Sequence, residues 1–304
     1  MEQFERKATK KVPDKLAALD NGQALKPFEV LMAEPEALAK FSEEPVESMI
    51  PEWEAVSIKP GRAPDFERFK PEVRLGNKPV TPLWVQGTDE RRTYSNFSYP
   101  WGCICKVIAG GSTGTGVLIG PRHVLTASHV VNWSVPGGVS GAVEVHRAGA
   151  DVRATSRINR VFAYTRVTGS VGWLELDEDY AVLELDEPLG SRFGWLGTRT
   201  YRSRWDGDSY WTNLGYPGDV GGAMWPTRQW SKWLDEHAWD FGGGRAMDTN
   251  ADINPGNSGG PMFAWWSNGP YVVAVVSAHE RGGGDNYCAG GRDLPRLVNW
   301  ARSS

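Results

Sequence analysis

The stretch Asn254-Pro255-Gly256-Asn257-Ser258-Gly259-Gly260-Pro261 places one serine inside a run of glycine, proline and asparagine. Glycines this close to Ser258 predict a tight turn in which nothing crowds the hydroxyl group. Such a turn can direct the backbone N–H groups of Gly256 and Ser258 at one point, as an oxyanion hole for acyl transfer requires. The alternative interpretation is an ordinary surface turn that contains a serine.

A serine hydroxyl group becomes a good nucleophile only when a base takes its proton. His129 is the best candidate for that base. The apolar pair Val124-Leu125 leads towards it, and the small residues Ala127 and Ser128 leave room for its imidazole to face a cleft. Three other histidines fit structural or solvated roles, since one follows a turn, one lies on an expected strand and one lies in a polar tryptophan-rich stretch: His123, His146 and His237.

A catalytic histidine also needs a carboxylate that orients its ring. Asp179 begins a largely apolar run that ends at Leu185 and predicts a strand. A carboxylate at the edge of such a strand can be buried against an imidazole. The nearby acids Glu175, Asp177 and Asp186 are instead expected to be solvated.

With these residues in the order His129, Asp179, Ser258, the chain resembles the chymotrypsin-fold serine peptidases from about residue 80 to the C-terminus. Subtilisin-type and α/β-hydrolase triads run in other orders along the chain. The resemblance implies an all-β fold of two six-stranded antiparallel barrels with a C-terminal helix. It also implies peptide hydrolysis through an acyl-enzyme, with no cofactor and no metal. The matching segments are Thr115–Gly120, Leu125–His129, Asp179–Leu183 and Gly256–Pro261.

Within that family the chain is similar to the bacterial glutamyl endopeptidases. The similarity lies in Gly87–Arg92 ahead of Tyr99-Pro100-Trp101, and in Gly215–Asp219 followed by Trp225. The nucleophile stretch is also similar to HtrA-type proteases. No residues follow Ser304 for the peptide-binding domain that those proteases carry, and this disfavours that branch.

The resemblance leaves the primary specificity open. Asp252 falls at the expected base of the primary pocket, where a carboxylate could select arginine or lysine. His279 falls near the position of a histidine that contacts acidic side chains in glutamyl-specific relatives. Those relatives can also carry an aspartate at the position of Asp252, followed by a threonine, whereas this chain has Ile253 there. Acidic preference therefore ranks above basic preference. Ser277 is expected to support Asp179 and to pair its backbone with the substrate.

The composition limits the classes of partner. The net charge of −4 gives no electrostatic reason to expect binding to nucleic acid or to an anionic membrane. No apolar run has the length of a bilayer span. We expect protein or peptide substrates and a monomer. A disulfide-dependent fold is not expected, although Cys103 or Cys105 could pair with Cys288.

Composition changes near residue 80, where lysine becomes scarce and glycine, tryptophan and short β-type runs increase. We interpret residues 1–79 as an N-terminal extension or propeptide that is at least partly disordered and could silence the enzyme. The mature enzyme would begin between Pro79 and Val85. The first residues are not a secretory signal. Either a signal was removed from a secreted protein, or the protein acts inside the cell.

The rest of the chain, residues 80–304, is predicted to form the peptidase domain, with barrels at about 80–190 and 191–290. The sequence of Asp293–Ala301 predicts a C-terminal helix with Asp293 as its N-cap. An inactive peptidase-fold binding module and an intracellular quality-control protease are the competing classes. The complete set of three residues disfavours the first. The expected strands are Cys103–Ala109, Gly116–Ile119, His123–Thr126, Ala142–His146, Tyr180–Leu185, Thr212–Leu214, Gly259–Phe263 and Tyr271–Ser277.

Overall fold

The structure is a computed structural model. It describes residues 27–51, 74–75, 78–79, 89–134, 140–236, 242–279 and 286–304. Its helices are α1 (Pro35–Leu38), α2 (Leu189–Phe193) and α3 (Asp293–Ser303). Its strands are β1 (Glu29–Met32), β2 (Arg74–Leu75), β3 (Lys78–Pro79), β4 (Arg92–Thr93), β5 (Ile104–Ala109), β6 (Ser112–Leu118), β7 (His123–Thr126), β8 (Gly141–Ala148), β9 (Asp151–Ala163), β10 (Ala181–Leu185), β11 (Gly197–Thr198), β12 (Trp211–Gly215), β13 (Thr227–Lys232), β14 (Leu234–Glu236), β15 (Gly244–Thr249), β16 (Pro261–Trp266), β17 (Gly269–His279) and β18 (Asn286–Gly291).

Six antiparallel strands close the first barrel. Their order is β9-β10-β7-β6-β5-β8, and pairing between β8 and β9 completes the ring. The apolar runs of β7 and β10 lie side by side, with Leu125 opposite Val182 and Val124 opposite Leu183. All four of these side chains are fully buried. Burial of such apolar surface is the main force that holds the barrel together.

The second half of the domain is a nine-stranded sheet. Its path is β14-β15-β18-β17-β16-β12-β13-β4, and β11 adds to β17 in parallel. Within the described ranges no pairing joins β14 to β4, so this sheet stays open. The predicted all-β chymotrypsin-like fold with a C-terminal helix is confirmed, with one closed barrel and one half-barrel.

Residues 27–51, which we call the N-terminal strap, pack on both halves of the domain. Strand β1 adds to the first barrel in parallel beside β9, from Glu29 opposite Arg160 to Met32 opposite Ala163. Further along, Val46 forms a bridge with Thr198 and Met49 forms a bridge with Trp195. The strap is therefore packed on the domain, and the expectation that residues 1–79 are at least partly disordered stays a prediction.

Most of the predicted strands are found within a few residues of their expected bounds. The longest strand, β9, was missed because charged and polar side chains occupy its exposed face, and its burial alternates only in part. Asp293 begins α3 but does not cap it: the residue before it holds the cap position, and no side chain caps the helix there. The Asp293 carboxylate instead accepts a hydrogen bond from Arg296 at 3.0 Å.

No disulfide joins any of the three cysteines, all of which are buried. Burial raises the pKa of the Cys105 and Cys288 thiols well above the usual range, which keeps both as neutral thiols. The fold therefore rests on its apolar core rather than on a cross-link. Among the described residues, no helix combines the length and the apolar character needed to cross a bilayer.

Candidate active site

Asp179 and His129 form a buried pair between the ends of two strands of the first barrel. Strand β7 ends at Thr126, and a short turn over Ser128–Val130 then carries the histidine. The Asp179 carboxylate, fully buried just before β10, accepts a hydrogen bond from the His129 backbone N–H at 2.9 Å. Its second oxygen lies 2.6 Å from Nδ1 of the ring. A carboxylate that accepts a hydrogen bond from Nδ1–H favours the tautomer in which Nε2 carries no proton and can accept one.

Ser277 completes the set of donors around that carboxylate. Its hydroxyl group donates to the oxygen of Asp179 that faces the ring, at 2.5 Å. Ser277 is the extra residue of an irregularity in β17, because Val276 pairs with Cys288 while Ala278 pairs with Tyr287. A bulge of this kind re-aims a side chain. The Ser277 hydroxyl group thus provides one of three hydrogen bonds that Asp179 accepts within the described residues.

Burial and the contact with Asp179 shift the pKa of the His129 imidazole in opposite directions. Burial by itself lowers that pKa, because a charged ring loses its hydration. The negative charge of Asp179 and its hydrogen bond to the ring outweigh burial, so the pKa is raised above its ordinary value of 6.5. The imidazole is 17% exposed, so one edge reaches the cavity while the other contacts the acid.

The chain segment that carries His129 is held by a neighbouring serine. The hydroxyl group of Ser128 donates to the carbonyl of Thr165 at 2.5 Å and accepts from the N–H of Val167 at 3.2 Å. The carbonyl of Ser128 accepts the indole N–H of Trp133 at 3.1 Å. The bonds to Thr165 and Val167 tie the histidine turn to the loop that precedes Asp179, which helps to fix the base relative to its acid.

Glycine conformation shapes the turn that carries Ser258. Gly256 has φ +106° and Gly259 has φ +82°, both in the region that side chains rarely adopt. A Cβ atom on Gly256 would lie 2.4 Å from the carbonyl oxygen of Tyr216. The turn therefore requires glycine at both positions.

Thr115 of the first barrel clamps the same turn from the other side. Its N–H donates to the carbonyl of Ser258 at 2.8 Å, and its hydroxyl group donates to the carbonyl of Gly256 at 2.6 Å. With both carbonyls turned towards Thr115, the N–H groups of Gly256 and Ser258 have no acceptor within the described part of the chain. Two such donors in one turn are what an oxyanion hole requires.

His129 and Ser258 line one cavity of about 670 Å³ between the two halves of the domain. The first barrel contributes His129 and the loop that precedes Asp179, and the second half contributes the serine turn and the end of β17. The lining includes two imidazoles but, within the described residues, no lysine, arginine or carboxylate. The lining residues are His129, Gly169, Ser170, Val171, Gly172, Trp173, Leu176, Ile253, Asn254, Pro255, Ser258, Val276, Ser277, Ala278, His279 and Tyr287.

Two of the three predicted pocket residues, Ser277 and His279, line this cavity, and Asp252 does not. Asp252 is buried at 1% exposure, and its carboxylate accepts the backbone N–H of Glu90 at 2.8 Å. Its own backbone N–H and carbonyl both bond to the side chain of Gln229. The acid thus holds the segment around Glu90 against the second half of the domain, and the structure does not support its role at the base of a pocket.

Sequence reasoning missed Thr115 and Ser128, because their roles depend on partners more than 30 positions away. It also missed the aromatic side of the cavity at Trp173 and Tyr287, which approach at 5.4 Å between ring centres. The abundance of tryptophan was a signal, but it could not separate core residues from binding residues. Within the described ranges, no group of three or more histidine, cysteine or acidic side chains is placed to hold a metal ion.

Comparison with known proteins identifies the family. The trypsin-like peptidase domain model matches residues 114–271, about half of the chain. A glutamyl endopeptidase of Bacillus licheniformis is 30% identical over 235 residues, which cover 72% of this chain and 70% of the relative.

Two solved structures share the fold. A Glu endopeptidase bound to MPD superposes with a TM-score of 0.60 and 22% identity, covering 72% of this chain and all of that one. The protease Anisep of Arthrobacter nicotinovorans has a TM-score of 0.54 and 17% identity, covering 70% of this chain and all of that one. The predicted resemblance is confirmed, and this chain belongs to the trypsin-like peptidase family as a serine endopeptidase of the chymotrypsin fold.

Proposed function

We propose that Ser258 is the nucleophile, His129 the general base and Asp179 the residue that orients the base. The observation that carries this proposal is the buried Asp179–His129 pair, which opens onto the same cavity as Ser258. The glycine-shaped turn leaves the serine half-buried in that cavity. The predicted substrates are proteins or peptides.

In the proposed reaction, the Ser258 oxygen attacks the scissile carbonyl carbon while Nε2 of His129 takes the hydroxyl proton. The resulting imidazolium is stabilised by Asp179 and returns the proton to the nitrogen of the leaving amine. The C–N bond breaks and an ester to Ser258 remains. Water then attacks the ester through the same base, which releases the acid and restores the serine.

The N–H groups of Gly256 and Ser258 are the proposed donors to the oxyanion that forms in both steps. Thr115 holds the turn so that neither donor is used inside the described protein. Donors that are already oriented need no reorganisation during the reaction. Loss of one such donor costs about 3 kcal/mol of transition-state stabilisation.

The first prediction concerns the nucleophile. Ser258→Ala should abolish peptidase activity and covalent labelling by a fluorophosphonate, because both require the same oxygen atom. Gel-based labelling and hydrolysis of a casein substrate would measure the two losses. Ser191→Ala, at an exposed serine in α2, is the matched control and should keep both activities. Hydrolysis by purified, folded Ser258→Ala would refute the assignment, and absence of labelling in the wild type would favour a binding module.

The second prediction concerns pH. His129 acts as a base only when it is neutral, and its pKa is raised above 6.5 by Asp179. The value of kcat/KM should therefore fall on the acid side with a midpoint above pH 6.5. Asp179→Asn removes the charge, so its midpoint should move to lower pH while kcat drops by about 10⁴ because the wrong tautomer is favoured. A midpoint that stays in place in Asp179→Asn would contradict this role for the acid.

We further propose a preference for glutamate before the scissile bond. His279 lies half-buried in the cavity and can donate to a carboxylate. A preference for arginine or lysine would need an acid, and Asp252 is engaged by Glu90 away from the cavity. The similarity to a glutamyl endopeptidase points the same way.

The third prediction tests that preference. Wild-type enzyme should hydrolyse a peptide with glutamate at this position at least tenfold faster, in kcat/KM, than its glutamine counterpart. The two peptides differ by one charge and have the same shape. His279→Gln should reduce that ratio to nearly one and leave the glutamine peptide unaffected. Faster cleavage after arginine or lysine would overturn the proposed specificity.

We also propose that the enzyme is made as a precursor, is secreted and acts as a monomer. The similarity to a glutamyl endopeptidase supports secretion, and the change in composition near residue 80 supports a precursor. The region expected to be cut begins at Pro79, and residues 80–88 lie outside the described residues. The strand pairing and the two bridges of the N-terminal strap join it to residues 160–163, Thr198 and Trp195, none of which lines the cavity.

A further inference from the structure

We propose that the peptidase domain carries a docking surface for its own N-terminal strap, and that the strap stays bound there after the chain is cut downstream of it. The mature enzyme then consists of two pieces held together without a covalent bond. The two-piece state rests on the proposed precursor, whereas the docking surface rests on contacts within the structure.

The first part of the docking surface is a strand edge of the first barrel. Strand β8 pairs with β9 only as far as Arg157. Beyond that point β10 pairs with β9 along one edge, and β1 of the strap pairs with residues 160–163. A strand has two edges, so β1 occupies the edge that β8 leaves. An open edge presents unpaired N–H and C=O groups, and an added strand satisfies them.

The strap also contributes side chains to the apolar core. Four of them are buried at 2–7% exposure: Phe28, Ala33, Leu38 and Val46. All four belong to the same buried cluster as the side chains of β7 and β10 that hold the first barrel together. An interface that continues a domain core in this way is typical of permanent rather than transient association. Loss of the strap would expose that part of the core to water.

The second part of the docking surface is the C-terminal helix α3. Phe41 of the strap packs near Trp300, with 6.5 Å between the ring centres. The carbonyl of Ser42 accepts the side-chain amide of Asn299 at 2.7 Å. The strap therefore bridges the first barrel and the helix that ends the chain.

The third part is the segment that leads into the second half of the domain. Val46 exchanges two backbone hydrogen bonds with Thr198, both of 3.0 Å. Met49 exchanges two more with Trp195, of 2.9 and 3.0 Å. The indole N–H of Trp195 donates to the carbonyl of Glu47 at 2.8 Å. The backbone of the strap is thus paired on both sides of Glu47.

The domain leaves space for the strap backbone at two glycines. A Cβ atom on Gly197 would lie 2.4 Å from the carbonyl oxygen of Val46, and one on Gly194 would lie 2.6 Å from that of Met49. Gly194 also needs glycine for its own conformation, since its φ is +80°. At Gly197 the absent Cβ makes room for the strap and for the ring of Tyr271. The domain sequence is therefore compatible with close approach of the strap.

A polar contact fixes the strap at the same place. The Glu47 carboxylate accepts the hydroxyl group of Tyr271 at 2.6 Å and the amide of Asn268 at 3.2 Å. Tyr271 is fully buried in β17, so its hydroxyl group has a set position. Hydrogen bonds to a charged acceptor are stronger than those between neutral groups.

The position of the proposed cut leaves all of these contacts intact. The strap ends at residue 51, and the proposed cut lies between Pro79 and Val85. After the cut the covalent link no longer keeps the strap close, so retention depends on the contacts alone. Release requires contacts with β9, with α3 and with the segment at residues 195–198 to break together. This is why we expect the strap to remain.

The fourth prediction concerns retention of the strap. The full chain with Ser258→Ala, which should be unable to cut itself, receives a site for a sequence-specific protease at residues 60–63. After cutting, both pieces should elute together at the volume of the uncut chain in size-exclusion chromatography. Mass spectrometry of that peak should find both. Elution without the strap overturns the proposal, whether or not the remaining piece stays folded.

A pair of strap variants tests the docking surface in the same cut protein. Val46→Asp places a carboxylate at a buried position and should release the strap, with a melting temperature lower by about 5 °C or more. Glu36→Ala, at an exposed position of α1, is the matched control and should change neither. Circular dichroism of the uncut variants checks that both fold. A strap that stays bound with Val46→Asp contradicts the proposed surface.

The fifth prediction uses milder changes at the Glu47 contact. Glu47→Gln and Tyr271→Phe each weaken or remove the hydrogen bond, so each should speed release of the strap from the cut protein roughly tenfold. The double variant should release it little faster than either single variant, because both act on one contact. Anisotropy of a fluorophore at the N-terminus, followed after dilution, measures the rate. Glu44→Gln, at an exposed acid nearby, should leave it unchanged. Equal rates in all variants would contradict this contact.

Wild-type enzyme separates this proposal from the proposed precursor. Purified active enzyme should give two N-terminal sequences, one from the strap piece and one that begins between Pro79 and Val85. A single sequence from the downstream piece overturns retention of the strap. An active chain that stays uncut refutes the proposed precursor, and the engineered cut in Ser258→Ala then still decides whether the strap is retained.

Discussion

The site depends on one buried carboxylate. Asp179 has no exposed surface, and its two oxygens accept three hydrogen bonds, from the backbone and ring of His129 and from Ser277. A buried polar group without partners is costly, so each donor stabilises the buried carboxyl group. The charge of Asp179 and its hydrogen bond to the ring raise the pKa of the imidazole, and the bond from the His129 backbone holds that residue against the acid. The contacts that stabilise Asp179 thus include those that position His129.

The second requirement is that the two halves of the domain hold each other at the cavity. Thr115 belongs to the first barrel, yet it binds the carbonyls of Gly256 and Ser258 in the second half. Ser277 belongs to the second half, yet it binds the acid of the first barrel. These reciprocal contacts explain why a cavity between two sheets can keep its geometry. They hold the donor amides close to the base.

Contacts outside the cavity have a supporting role. The strap covers apolar surface on both halves and on α3, away from the cavity. At the start of the peptidase domain, Arg91 is buried at 3% exposure and donates to the Asp219 carboxylate with both terminal nitrogens. The neighbouring Glu90 forms an ion pair with the buried Lys232. These pairs hold the start of the domain beside Asp252. The carboxylate of Asp252 thereby has a structural role.

The sequence alone determined the fold class, the order of the three candidate residues and the need for glycine around Ser258. Each of these depends on local patterns: apolar runs that form strands, and turns that only glycine can make. The tertiary structure decided the rest. Ser277 reaches Asp179 because of a register shift in β17, Trp173 faces the cavity because Tyr287 supports it, and Asp252 is turned away by Glu90. Each of these contacts joins residues about 100 or more positions apart, and no local pattern encodes which distant partner a side chain will meet.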